Sequence, residues 1–225
     1  MAKQGFFISF EGGEGGGKST QIRRLTSVLR KNKIPFVVTL EPGGTAIGKK
    51  IRELLLNPKN KKLSQRAELY LYEADRAQHV EEVVKPALEA GKVVITDRYA
   101  DSSTVYQGIC RGLGVSWTEK LNDFATGGIY PDLVIVLDIP ETIGLARVKA
   151  RLSSDPKLHG KRRVVKMDRL EREKQSFHRK VRKGFIALSK KHPKRITLLD
   201  ATQAPDEVSR QILEEIGKRW RRKLL

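Results

Sequence analysis

Residues Gly12 to Ser19, GGEGGGKS, satisfy the pattern G-x-x-x-x-G-K-[ST] and lie between an apolar run and a helical pattern. Glycines there let the backbone turn so that successive N–H groups face anionic oxygens, and the start of the next helix adds positive potential. Lys18 is placed to reach the outer phosphates of a ligand and Ser19 to hold magnesium. A chain of this length matches the pattern by chance under about one time in a hundred, and less often at a strand-to-helix junction. Glu14 is unusual inside such a loop, because a carboxylate beside a phosphate site is repelled unless it has a partner. Either it points to solvent or it binds a donor such as a sugar hydroxyl or a hydrated metal, and spacing does not choose between them.

A second group follows the apolar run VVIT, whose carboxyl end carries Asp97 and Arg98. In an open parallel sheet that end is where ligands bind. Asp97 could sit beside the metal and Arg98 could grip a second phosphate with its planar fork; the alternative is an idle surface pair. Tyr72 precedes Arg76 by four residues and so shares a helix face with it. An aromatic plane with a guanidinium can bind a planar base, although spacing alone favours a core tyrosine with a solvated arginine.

These groups need elements to hold them. Gly5 to Phe10 reads as a strand, Lys18 to Lys31 as a helix, Phe36 to Leu40 as a strand, and Gly48 to Leu56 and Gln65 to Ala90 as helices. Val93 to Asp97 is a buried strand, Trp117 to Ala125 a helix, Asp132 to Asp138 a strand and Glu141 to Leu152 a helix. The last pair is Arg195 to Leu199 and Pro205 to Trp220. Five apolar strands separated by helices predict an α/β fold, a five-stranded parallel sheet with helices on both faces, because parallel strands need crossover connections. Ser153 to Met167, with its Pro, Gly and clustered cations, suits a mobile surface loop.

Length and composition bound the rest. With 225 residues, 39% of them hydrophobic, the chain can bury one core, so a single domain over residues 1–225 is expected. One cysteine, Cys110, excludes an internal disulfide and a cysteine metal cluster. No apolar run reaches the roughly 20 residues that span a bilayer, and the first residues do not form a signal peptide, so a cytoplasmic protein is expected. The formal net charge is +19, and residues 147–195 alone hold 19 basic against 4 acidic side chains. Such a block serves a nucleic-acid surface, a phosphate-binding lid or a solvated helix face.

FEGGEGGGKST at 10–20, EPGGT at 41–45, DR at 75–76, TDRYADSSTVYQG at 96–108, PDLVIVLD at 131–138, DRLE at 168–171, FHRKVRKGF at 177–185 and DAT at 200–202 together resemble the thymidylate kinases. These are nucleoside monophosphate kinases of the P-loop nucleotide kinase fold. The resemblance runs from Phe6 to about Ile216 and is to the bacterial type, whose catalytic arginines come from a basic lid, here at about 147–171. It implies transfer of the γ-phosphoryl group of ATP to dTMP, with Mg2+, in a homodimer, and an enzyme of dTTP synthesis. It places ATP on Gly12, Gly13, Glu14, Gly15, Gly16, Gly17, Lys18, Ser19 and Thr20, and the metal by Ser19 and Asp97. It gives dTMP to Glu14 at the sugar 3′-hydroxyl, Tyr72 stacked on thymine, Arg76 at a base carbonyl, Arg98 at the phosphate, and Ser103, Tyr106 and Gln107 around base and sugar.

Catalysis then falls to Lys18, Arg98, Arg151 and Arg169. Sixteen residues separate Arg151 from Asp168, a longer lid than the family's usual one, which leaves open whether Arg151, Arg163 or Arg169 reaches the transferred group. Arg169 and Arg172 are expected on a helix after the lid, and the basic excess is expected to serve phosphate chemistry and not nucleic acid.

Overall fold

The computed structural model describes residues 5–154 and 167–220. Five strands, β1 (Phe6–Gly12), β2 (Phe36–Leu40), β3 (Val93–Asp97), β4 (Leu133–Asp138) and β5 (Ile196–Asp200), form one sheet in the order β2-β3-β1-β4-β5. Every pairing is parallel. The register sets Leu40 of β2 and Phe10 of β1 on either side of Asp97 of β3. The chain therefore leaves these three neighbouring strands side by side, and the loops that follow open on one edge.

The strands alternate between two apolar layers, as a doubly covered sheet requires. Phe6, Ile8 and Phe10 of β1 pack with Ile95, Leu133 and Ile135 under α1 (Lys18–Lys31) and α9 (Pro205–Trp220). Phe7, Val94, Val134 and Val136 face the other way. There Phe7 and Val94 meet the π-helical turn at Val80–Val84 and α4 (Lys85–Glu89), into which α3 (Gln65–His79) runs. Beside it lie α5 (Ala100–Ser103), which continues as a π-helical stretch at Thr104–Cys110, and α8 (Gln175–Lys191). The outer helices are α2 (Ala46–Leu56), N-capped by Thr45, α6 (Val115–Thr126) and α7 (Glu141–Ser154).

All five expected strands are present. Two helical stretches went unread in the sequence. Residues 100–110 follow β3 after only Arg98 and Tyr99, and their apolar positions are interrupted by the polar groups that face the cleft. In α8 the stripe Phe177, Val181, Phe185 and Leu188 is correctly spaced but diluted by cations. The expected helix carrying Arg169 and Arg172 is a turn instead. Asp168 and Glu171 accept each other's backbone N–H groups, at 2.8 and 3.0 Å, as at a helix start, but a single i→i+4 bond follows, Arg172 N–H to the Asp168 carbonyl at 3.1 Å, and one turn is too small a nucleus to propagate. Most of the expected loop at 153–167, with Arg163, lies outside the described residues.

α7 presses against the phosphate loop. A Cβ built on Gly144 would run into the Glu14 carbonyl oxygen, and Gly15, at φ 71°, faces the Gly144 carbonyl in turn. Only glycine permits that approach. Gly144→Ala is therefore expected to lower stability by about 1–3 kcal/mol and to raise KM for ATP, measured by urea unfolding and steady-state kinetics.

Candidate active site

A cleft of about 600 Å³ runs along the sheet edge from the phosphate loop to the π-helical stretch at 104–110. Of the site residues expected from the sequence, all line it except Gly12, Gly13, Arg169 and Arg172 among the described residues, Arg163 lying outside them. Gly12 serves through its carbonyl, which accepts from Arg98 Nη1 at 3.1 Å and from Lys18 Nζ at 3.5 Å. Gly13 does likewise for Lys18 at 3.3 Å. Burial, with Arg98 nearby, lowers the Lys18 pKa, and Asp97 and Glu14 oppose the shift. A loop whose lysine rests on its own carbonyls holds its charge ready for a stronger acceptor.

Arg98 joins the two halves of the cleft. Its backbone has φ 74°, a left-handed conformation that strains a residue with a Cβ, and its N–H donates to the Phe10 carbonyl at 2.9 Å. From there Nη2 reaches Glu14 Oε1 at 2.6 Å and the guanidinium lies 5.1 Å from the Tyr106 ring centre. Burial raises the Glu14 pKa, but Arg98, Lys18 and His178 together bring it below the usual carboxylate range. The partner that a carboxylate needs beside a phosphate site is thus supplied within the chain. For Glu14 it is Arg98, the residue expected to hold a second phosphate.

Around the far half, Arg76 is fully buried, which corrects the solvated arginine that spacing favoured. Its Nε donates to Glu41 at 2.9 Å and its Nη1 reaches Glu73 at 2.8 Å, Asn122 at 2.9 Å and Ser103 Oγ at 3.1 Å. Glu41 accepts from His79 as well, at 2.7 Å, so the EPGGT segment is tied through one carboxylate to two residues of α3. Tyr72 and Tyr106 line the cleft with hydroxyl pKa values raised chiefly by burial, so both stay protonated. The Tyr106 hydroxyl is buried without a protein partner. Gln107 donates to Glu68 at 2.8 Å.

On the opposite wall α7 contributes two arginines. Arg147 donates to the Gly15 and Ala201 carbonyls at 3.4 and 3.2 Å, and exposed Arg151 lies 3.4 Å from Glu171 Oε1. The structure does not bring Arg169 to the cleft. Its Nε donates to the Leu55 carbonyl at 2.7 Å and its Nη2 sits 2.6 Å from Glu68 Oε2, an ion pair held by charge and not by an aligned N–H. Ser19 is exposed at the loop end and Asp97 lines the same space. Among the described residues no three acidic, histidine or cysteine side chains cluster as a closed metal site. A hydroxyl and one carboxylate suit magnesium, which keeps most of its shell for water and phosphate oxygens.

Residues 10–212 match the family model for thymidylate kinase. The chain belongs to the thymidylate kinase family. It is 43% identical over 223 residues to the thymidylate kinase of Lactobacillus acidophilus, covering 99% of this chain and 98% of that one. It is 45% identical over 213 residues to the thymidylate kinase of Maridesulfovibrio salexigens, with 95% of both chains covered. The crystal structure of thymidylate kinase from Ehrlichia chaffeensis superposes with TM-score 0.72 at 28% identity, over 95% of this chain and 99% of that one.

Sequence motifs missed Glu11, a wholly buried carboxyl under this family's cleft. It accepts from Tyr99 N–H at 2.7 Å and from Ser102 Oγ at 2.6 Å, and burial pushes its pKa up to about 8 against the pull of Arg98. The only signal was an acidic residue at the end of an apolar strand. A carboxyl raised in the folded state binds a proton that the unfolded chain has already released, so its contribution is greatest below about pH 4.5 and is lost as pH rises through about 8. Urea midpoints measured from pH 5 to 9 should therefore decline more steeply in the native chain than in Glu11→Gln.

Proposed function

We propose that this cleft carries ATP-dependent phosphorylation of dTMP to dTDP, with the phosphate loop at 12–20 as donor site and Arg98, Tyr72, Arg76, Ser103, Tyr106 and Gln107 as acceptor site. The observation that carries the reading is one guanidinium, Arg98, set between the phosphate loop and an aromatic pocket in a chain of this family. A phosphate monoester is mostly dianionic at neutral pH, since its second ionisation lies near pH ~6, and needs no general base. Catalysis is positioning and charge neutralisation.

An oxygen of the dTMP phosphate attacks the γ-phosphorus of ATP, the bond from that phosphorus to its β,γ-bridging oxygen breaks, and ADP leaves with the bonding pair. Lys18 exchanges the Gly12 and Gly13 carbonyls for phosphate oxygens, and the loop N–H groups hold the rest. Arg98 holds the acceptor phosphate, while Glu14 fixes Arg98 and takes the sugar hydroxyl. Arg147 and Arg151, four apart on α7, face the transferred group. Magnesium bound by Ser19 and Asp97 would neutralise phosphate charge. Of the two lid arginines expected to be catalytic, Arg151 keeps that role in this reading and Arg169, anchored elsewhere, does not.

The reading takes residues 1–225 as one domain with a lid at about 147–171, acting in the cytoplasm as a homodimer. Family likeness supports it, and among the described residues no helix is long and apolar enough to cross a membrane. Among the described residues, five of the 19 basic side chains at 147–195 are paired with acids outside that segment, Glu68, Glu141, Asp138, Glu119 and Asp101.

ADP formation from ATP and magnesium should require dTMP, proceed more weakly with dUMP, and stop with EDTA. Arg98→Ala should lower kcat/KM for dTMP by at least about 100-fold, and Arg151→Ala should lower kcat about 100-fold while Arg169→Ala keeps kcat within about fivefold. Acceptor-independent hydrolysis would overturn the reading.

A further inference from the structure

Glu68 is 1% exposed and lies in the first turn of α3. Three side chains meet on its two oxygens. Gln107 Nε2, from the π-helical stretch, donates at 2.8 Å; Arg111 Nε and Nη2 reach it at 3.3 and 3.4 Å; and Arg169 Nη2, from the turn after the lid, is 2.6 Å away. Arg169 also caps the end of α2 through the Leu55 and Leu56 carbonyls. Arg111 continues to Glu173 at 2.7 Å. None of these contacts is needed to explain phosphoryl transfer.

A carboxylate between two guanidinium groups accepts hydrogen bonds and does not donate them, so the amide of Gln107 has to turn its NH2 toward Glu68. The orientation of that amide is thus decided by its partner. What remains for the cleft, which Gln107 lines, is its carbonyl oxygen. We propose that Glu68 is a positioning residue that sets the hydrogen-bond polarity of the acceptor pocket, presenting an acceptor to the base and so selecting pyrimidines whose ring N3 carries a hydrogen. Thymine and uracil have that N3–H; cytosine at neutral pH has a bare N3 and would leave two acceptors facing each other. Arg169 and Arg111 hold Glu68 in place, which makes the turn at 168–173 part of the acceptor pocket's support.

This rests on the acceptor pocket proposed above, and the experiment keeps the two apart. kcat and KM for dTMP, dCMP and ATP are measured for the native chain, Glu68→Gln, Gln107→Met and the double variant, each checked by thermal melting. With Glu68→Gln the amide can turn either way, so the ratio of kcat/KM for dTMP over dCMP should narrow by about 10- to 100-fold, mainly through KM for dTMP, while KM for ATP stays within about twofold. Gln107→Met should narrow it similarly, and the double variant should add nothing further, because Glu68 acts on the base only through Gln107. A ratio unchanged in Glu68→Gln, or equal losses for both acceptors and ATP, overturns the inference. Should Glu68→Gln fail to melt cooperatively, Arg169→Ala, which removes one of the two guanidinium groups that fix Glu68, decides: a narrowed ratio with kcat kept supports the inference and an unchanged one overturns it. A native chain that makes no ADP with dTMP overturns the function reading itself.

Discussion

The bridge from Arg98 to the Gly12 carbonyl and the Glu14 carboxylate is the contact on which the cleft's geometry depends. It spans from the end of β3 to the loop after β1, and it exists because the parallel register sets Phe10 beside Asp97. A left-handed backbone at Arg98 turns the guanidinium back over the loop instead of out to solvent. Such strain persists only where surrounding structure over-determines it, and here the Phe10 carbonyl, Glu14 and the Tyr106 ring all hold the residue. A charge fixed in this way costs no reorganisation when a phosphate arrives.

Beneath that bridge the site is supported by buried acidic side chains, charged or, as at Glu11, held protonated by burial, each with a defined load. Glu41 and Glu73 neutralise Arg76, Glu11 receives the turn after Arg98, and Glu68 receives Gln107 and two arginines. Placing charges out of water is costly, and a pair broken on one side leaves the other unpaired at about 3–5 kcal/mol. The arrangement adds little net stability for its size, but it permits few alternative side-chain positions. That suits a pocket which must hold two anions in line and recognise a flat base.

Much of this was legible from residue order. The glycine loop, the strand-end Asp97 and Arg98 and the alternation of strands and helices depend on residues within a few positions of one another, and they are where the spacing puts them. Less could be read where polar and apolar positions mix, as at 100–110 and 175–191, since the period that marks a helix is diluted there. Arg169 shows the same limit at the level of a side chain. Its motif, DRLE, marks a functional segment, but the sequence contains nothing to say that its guanidinium would turn to Glu68 and the end of α2.

By itself, then, the order of residues determined the parallel sheet, the phosphate loop and the family, because these rest on local backbone conformation and on motifs in fixed order. Only the tertiary structure decided which charges meet: Glu14 with Arg98, Arg76 with Glu41, Glu68 with Arg169. The reason is physical. A long charged side chain takes its partner from whatever opposite charge the packed helices bring within reach, and that choice is made by the burial of the whole chain, not by its neighbours in sequence.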